Sequence, residues 1–291
     1  MGGADISVKA IRELLASRGF SFSKSLGQNF LVDADIPEKL ARLSGVDQSC
    51  GVLEIGPGLG ALTSALSRRA GQVLAVEIDK RLIPILRDLF TESVNVEIMQ
   101  GDIMRQDIAK LVSDKMPDMR YHVCANLPYS ITTPVLTVLI SSGVFETITV
   151  MTQKEVARRI CAQPGSSEYG AFTVFVNYHS SEAETLFDVN PECFLPRPEV
   201  FSSVITIRTR PERLLDAEDE LFFFRVTRAA FGHRRKTLTN ALRAAFGDIL
   251  GKTDIEGSIR ECGLDAHIRG EMLDLEEFVR LSTLIRRIYG K

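Results

Sequence analysis

The chain has 291 residues, of which 45% are apolar and 25% charged, and its net charge is −3. This length suits one large domain, or one large and one small, with the composition of an ordinary soluble globular protein. It excludes a membrane span, since no apolar run approaches the roughly 20 residues one needs.

The opening Met1-Gly2-Gly3-Ala4-Asp5 has neither the basic start nor the apolar block of a secretory leader. Ile6 stands where myristoylation would need Ser or Thr. A cytoplasmic location is expected. Apolar residues near helical spacing (Ile6, Ala10, Leu14, Leu15) predict a helix from Ile6 to Arg18, followed by a polar stretch from Ser21 to Gln28. Asp33 or Asp35 is expected to cap a short helix with Pro37 in its first turn.

A regular alternation follows. Val52 to Ile55 reads as a strand entering Gly56-Pro57-Gly58-Leu59-Gly60, with a helix from Ala61 to Ala70. Val73 to Val76 is a strand ending at Glu77-Ile78-Asp79, with a helix from Arg81 to Phe90. Val94 to Met99 ends at Gly101-Asp102, and Tyr121 to Ala125 ends at Asn126. Helices near Asp107 to Val112 and from Pro134 to Ile140, and a strand from Thr147 to Met151, continue the series. Such alternation predicts an α/β fold: a Rossmann-like, doubly wound, mostly parallel sheet.

Further strands are predicted at Glu184 to Val189 and Ser203 to Arg208, joined by a proline-rich loop through Phe194-Leu195-Pro196-Arg197-Pro198. Beyond Pro211 the apolar spacing is helical. A boundary at the charged stretch there predicts a catalytic domain over 1–210, with an N-terminal helical extension, and a small all-helical domain over 211–291. Leu221 to Gly247 contains no Asp or Glu but holds Arg225, Arg228, Arg234, Arg235, Lys236 and Arg243, a local basic face on an acidic chain. The five cysteines form no C-x-x-C pair and the four histidines are dispersed, so no disulfide framework and no metal are expected.

In an open parallel sheet, ligands bind at the carboxyl ends of the strands. Four successive strand ends here carry suggestive groups. The glycine loop lets backbone approach a ligand ahead of a helix N-terminus. Glu77 suits two ribose hydroxyls, in a nicotinamide dinucleotide or in S-adenosylmethionine alike. Asp102 would accept from a cofactor adenine amine, for which a dinucleotide enzyme has no general need. Glu54 is expected to brace the glycine loop through backbone amides, and Asp79 to cap the next helix.

Asn126-Leu127-Pro128-Tyr129 points to the chemistry. An amine conjugated with an aromatic ring is a poor nucleophile, and methylating it requires neutral acceptors for its two N–H bonds. The Asn126 oxygen and a backbone carbonyl beside the proline fit that need, with Tyr129 as a flat face for the base. Adenine, cytosine or a glutamine amide would all suit this tetrapeptide.

The motifs resemble, in family order, the bacterial small-subunit ribosomal RNA adenine dimethyltransferases. The likeness runs through Lys24-Ser25-Leu26-Gly27-Gln28-Asn29-Phe30-Leu31, Glu54 to Gly60, Glu77-Ile78-Asp79, Gly101-Asp102 and Asn126 to Ser130. It continues through Phe194 to Val200, Ser203-Val204 and Phe231 to Leu238. The resemblance implies a class I methyltransferase fold and S-adenosylmethionine as methyl donor. Asn29 and the Leu31 backbone would help enclose it, Gly56 would line its methionine portion, Glu77 would bind its ribose, Asp102 its adenine, and Asn126 would border it. Asn126, Leu127, Pro128 and Tyr129 would hold the target base, with Phe194 as a second stacking face; read from its residues alone, Phe194 serves equally as core. The implied partner is small-subunit ribosomal RNA within a pre-assembled subunit, dimethylated at two neighbouring adenosines of its terminal hairpin late in assembly. The enzyme would be a monomer, with Arg234, Arg235 and Lys236 meeting RNA phosphates.

Overall fold

The computed structural model describes residues 27–289. The helix expected from Ile6 to Arg18, and Lys24-Ser25-Leu26 of the opening motif, lie outside the described residues. The chain divides into two units: one holds the described residues up to Ala157 together with Glu182–Thr209, the other Arg158–Ser181 together with the chain from Arg210.

The first unit is built on β2 (Cys50–Ile55), β3 (Gln72–Glu77), β4 (Val96–Gln100), β5 (Arg120–Asn126), β6 (Phe145–Gln153), β7 (Ser180–Val189) and β9 (Ser202–Thr209). Their order across the sheet is β4-β3-β2-β5-β6-β9-β7. The pairs β3–β4, β2–β3, β2–β5 and β5–β6 are parallel, whereas β9 runs antiparallel to β6. Every residue of β2 is buried, as expected of a parallel strand covered on both faces. Because β3 lies on one side of β2 and β5 on the other, strand order reverses at β2. The carboxyl ends of β2 through β5 therefore meet on one edge at a topological switch point. A separate two-stranded ribbon pairs β1 (Phe30–Leu31) with β8 (Phe194–Leu195), antiparallel, Leu31 opposite Phe194.

The helices α1 (Asp35–Leu43), α2 (Ala61–Ser67), α3 (Ile83–Leu89), α4 (Ile108–Lys115) and α5 (Thr132–Ser142) alternate with the strands. Neither Asp33 nor Asp35 caps α1 in the expected way: its N-cap is Ala34, without a side-chain bond, and Asp33 instead accepts from the Asp35 amide at 3.0 Å. Pro37 does sit in the first turn, where no amide is needed.

The second unit takes in more than the stretch beyond Pro211. After α6 (Lys154–Ile160) comes α7 (Ala171–His179). Val174 and Tyr178 of α7 share a core with Phe222, Phe223 and Val226 of α8 (Ala217–Gly232) and Phe278 of α11 (Leu275–Tyr289). Residues 158–181, which the composition places in the first domain, are thus packed in the helical unit. Burial of one apolar face decides this, against the β-branched and aromatic composition of α7. Helices α9 (Leu238–Phe246) and α10 (Lys252–Glu261) complete the unit.

Phe278 is fully buried in this core. Phe278→Ala is expected to cost about 3–5 kcal/mol of stability, through forfeited transfer energy plus the cavity left behind. Denaturant titration of both proteins measures the difference.

Candidate active site

At the switch point a cavity opens, walled by the opening segment (Gly27–Leu31), the glycine loop, Glu77, Asp102 and Asn126–Tyr129. Of the residues expected there from sequence, Asn29, Leu31, Gly56, Glu77, Asp102, Asn126, Leu127, Pro128 and Tyr129 all line it. Phe194 does not. Its ring is 3% exposed and packed with Leu31, Met151, Val189 and Val204, because its pairing with Leu31 turns it into the core. The expectation that Phe194 is a stacking face is corrected to a core role.

The glycine loop closes on backbone bonds, Gly56 N to Val76 O at 2.9 Å and Gly60 N to Pro57 O at 2.8 Å. Gly58 adopts φ +59°, and a Cβ there would lie 2.9 Å from the Phe30 ring; only glycine meets both demands. At Gly56 (φ +66°) a Cβ would meet nothing within 4 Å, so this backbone faces open space on the cavity side. Within the loop it is Glu77 that holds a backbone amide, while Glu54 is set against Thr63 in the helix that follows. Glu77 Oε2 accepts from Gly58 N at 3.3 Å and Oε1 from Asp79 N at 2.8 Å. Each oxygen keeps a further lone pair for a ligand hydroxyl.

Glu54 lies at the buried inner wall of the cavity, 1% exposed, with Oε2 lacking a hydrogen-bond partner among the described residues. Burial, reinforced by the negative charge of Glu77, pushes its pKa up to about 8. Burial likewise raises Glu77, against the backbone amides that favour its ionised form.

Asp102 caps a short 3₁₀ turn, Ile103–Arg105, by accepting from Met104 N at 3.0 Å, and pairs with exposed Arg105 at 3.3 Å. Asp79, expected as a helix cap, instead holds Arg81 at 2.6 Å and accepts from Gln28 Nε2 at 2.8 Å. This ties the opening segment to the end of β3. Arg81 holds the Asp79 carboxyl below its usual range. Sequence reasoning missed Gln28 and also Ile78, which is 52% exposed and lines the cavity. An apolar residue between two acids at a strand end was the available signal for the latter.

Asn126 ends β5, and its Nδ2 donates to Asn29 O at 3.2 Å. A carbonyl can only receive a donor, so the amide nitrogen is turned toward Asn29 and Oδ1 is left for a ligand. Of the two carbonyls flanking the proline, Pro128 O already accepts from Ile131 N at 3.1 Å and Thr132 Oγ1 at 3.3 Å. Leu127 O has no such donor among the described residues. Leu127 itself is fixed by its N–H, which donates to Met151 O at 3.0 Å. Two neutral acceptors thus border the cavity beside Tyr129.

Residues 19–279 match the family model for ribosomal RNA adenine dimethylase. The chain belongs to the ribosomal RNA adenine dimethylase family. It is 44% identical over 286 residues to the ribosomal RNA small subunit methyltransferase A of Streptococcus gordonii, covering 97% of this chain and 98% of that one. The same-named protein of a Streptococcus pneumoniae strain matches at the same identity and coverage. Among solved structures, a dimethyladenosine transferase from Plasmodium falciparum superposes with a TM-score of 0.76 at 25% identity, covering 89% of this chain and 98% of that one. The 23S rRNA methyltransferase ErmE gives 0.69 at 25% identity, covering 89% and 100%. The fold is that of class I methyltransferases, and the dimethylase takes its methyl groups from S-adenosylmethionine. The donor set fits that cofactor: a carboxylate with spare lone pairs at Glu77, and a loop whose Gly56 position is free of side chain.

In the helical unit the basic segment forms the turn between α8 and α9. Arg234 is engaged there, donating to Ser167 O at 2.7 Å and Tyr169 O at 3.1 Å. Arg225 is likewise absorbed, its guanidinium lying over the rings of Phe222, Phe246 and Tyr289. Arg235 and Lys236 are exposed and carry no ion pair among the described residues.

The Glu54 carboxyl gives a pH signature. Its folded pKa of about 8 lies above the ordinary 4.5, so the folded state holds a proton that the unfolded chain releases. Its contribution to stability is fully present below about pH 4.5 and is lost as pH rises through about 8. Glu54→Gln mimics the protonated form, so between about pH 5 and about pH 8 the wild type is expected to lose more stability than the variant, measured by denaturant midpoints.

Proposed function

We propose that this dimethylase modifies N6 of two neighbouring adenosines in the terminal hairpin of small-subunit ribosomal RNA, on a pre-assembled subunit late in assembly. It does so as a cytoplasmic monomer. The observation that carries the reading is the acceptor pair Asn126 Oδ1 and Leu127 O, on residues that line the same cavity as Tyr129, Glu77 and Asp102. The 44% identity to proteins named for the small subunit supports that choice of RNA. No helix among the described residues is long and apolar enough to cross a membrane.

S-adenosylmethionine supplies an electrophilic methyl group on a sulfonium. The chain's part is to bind and orient. Glu77 accepts from the ribose hydroxyls, Asp102 from the adenine amine, and Asn29, Leu31 and Gly56 enclose the remainder. Tyr129 carries the target base on its face. Asn126 Oδ1 and Leu127 O accept the two N–H bonds of the target amine, and both bonds strengthen as nitrogen becomes tetrahedral and positive. That difference between ground and transition state lowers the barrier. The product ammonium is acidic enough to release its proton to water, so no side-chain base is required. Phosphates are met by the unpaired Arg235 and Lys236, while Arg234 supports the loop at Ser167–Tyr169.

The test is methyl transfer from labelled S-adenosylmethionine to small subunits lacking the modification, followed by mapping of the modified nucleotides. Asn126→Ala should keep cofactor affinity and lose about 100-fold or more in transfer, the scale of one preorganised transition-state interaction. Near-normal turnover would remove Asn126 from the mechanism. Glu77→Ala should instead weaken binding of S-adenosylhomocysteine.

Replacing Arg235 and Lys236 together should weaken binding to the subunit and lower its salt slope, by about 1 for each phosphate no longer neutralised. An unchanged slope would move the RNA surface elsewhere. Arg234→Ala is expected to act on stability rather than on that slope.

A further inference from the structure

A flat ring can hold a base at a fixed attitude only if the ring itself is held. Rotation about Cα–Cβ swings a tyrosine ring bodily through space unless its tip finds a partner. Here the tip is tied: Tyr129 Oη and Ser202 Oγ lie 2.7 Å apart, a short O–H···O distance. Ser202 is 0% exposed and does not line the cavity.

Ser202 is itself anchored. It opens β9, opposite Gln153 of β6. On one side the Phe201 carbonyl accepts from Lys154 N at 2.9 Å. On the other, Ser203 Oγ donates to Asp188 Oδ1 at 2.6 Å, and Asp188 Oδ2 holds the Lys154 ammonium. The same β6 strand supplies Met151 O, which holds Leu127 N. The tetrapeptide is thus gripped twice by neighbouring strands, at its backbone by β6 and at its aromatic tip by β9. Burial pushes the Tyr129 phenol up from its ordinary value, so the hydroxyl is a neutral tether and not a base.

We infer that Ser202 is a positioning residue for methyl transfer: its hydroxyl holds the tip of the Tyr129 side chain and so fixes where the ring stands, and through it the position of the target adenine against Asn126 Oδ1 and Leu127 O. The inference rests on the proposed stacking role of Tyr129. Ser202 acts only through that ring, and touches neither the base nor the cofactor.

The experiment is a double-mutant cycle on the full chain, with undermodified small subunits as substrate. Wild type, Ser202→Ala, Tyr129→Phe and the double variant are compared in kcat and KM, alongside Tyr129→Ala and affinity for S-adenosylhomocysteine. One hydrogen bond is removed from either end. Each single variant should lose about 10-fold in kcat at unchanged cofactor affinity, and the double variant no more than either one. Losses that multiply in the double variant, or wild-type turnover in either single one, overturn the inference. Should Ser202→Ala fail to fold, Tyr129→Phe breaks the same bond from the cavity side, and its kcat decides alone. Low activity in Tyr129→Ala with normal turnover in Tyr129→Phe would remove Ser202's role and leave the stacking role standing. Normal turnover in Tyr129→Ala would remove both.

Discussion

The carbonyl of Asn29 decides which way the Asn126 amide faces, and the chemistry of the site depends on that one bond. With nitrogen turned to Asn29, the oxygen is left for the cavity, and on the proposed reading the group that would meet the amine of a base is an acceptor. Reversed, the amide would present two donors to two donors and repel the substrate it is meant to hold. The bond also joins two stretches far apart in sequence, the opening segment and the end of β5. On the proposed reading, the segment that would enclose the cofactor thereby sets the polarity of the base site.

The floor of the cavity follows a different electrostatic rule. Glu77 is supplied with backbone donors while Glu54, one strand away and deeper, has an oxygen without a partner among the described residues. Two buried carboxyls that feel each other's charge cannot share the ionised state cheaply, and the backbone donors favour it at Glu77. Burial raises both carboxyls, Glu54 to about 8, and only Glu77 has the backbone donors of Asp79 and Gly58 to oppose the rise. A single buried negative charge is also easier to satisfy with two ribose hydroxyls than a pair would be.

Much of this was legible in the sequence because its signals are local. The strand ends at Glu77, Asp102 and Asn126 follow from alternation of apolar runs with turns, and parallel topology then places them on one edge. What escaped was long-range. The 171–179 segment, Ala-Phe-Thr-Val-Phe-Val-Asn-Tyr-His, is rich in β-branched and aromatic residues with low helix propensity, and only the apolar face it buries against α8 makes it a helix. Phe194 could be read two ways until its pairing with Leu31 turned it inward. That Glu77 holds the Gly58 amide escaped because no sequence rule says which of two acids reaches an amide 19 positions away. The run Arg234-Arg235-Lys236 reads as three equivalent cations, but in three dimensions one of them is a structural tie.

The helical unit is discontinuous: the chain enters it at Arg158, leaves after Ser181, and returns at Arg210. During synthesis, Val174 and Tyr178 emerge from the ribosome well before Phe223 and Phe278, the partners that cover them. The sheet unit meanwhile waits for β9, its last strand, before β6 gains its antiparallel neighbour. Until the C-terminal helices appear, α7 carries an uncovered apolar face of the kind that promotes misassociation. A truncation at residue 210, drawn where the sequence changes character, would make that exposure permanent. A fragment that keeps the sheet intact would have to replace residues 158–179 with a short polar connection.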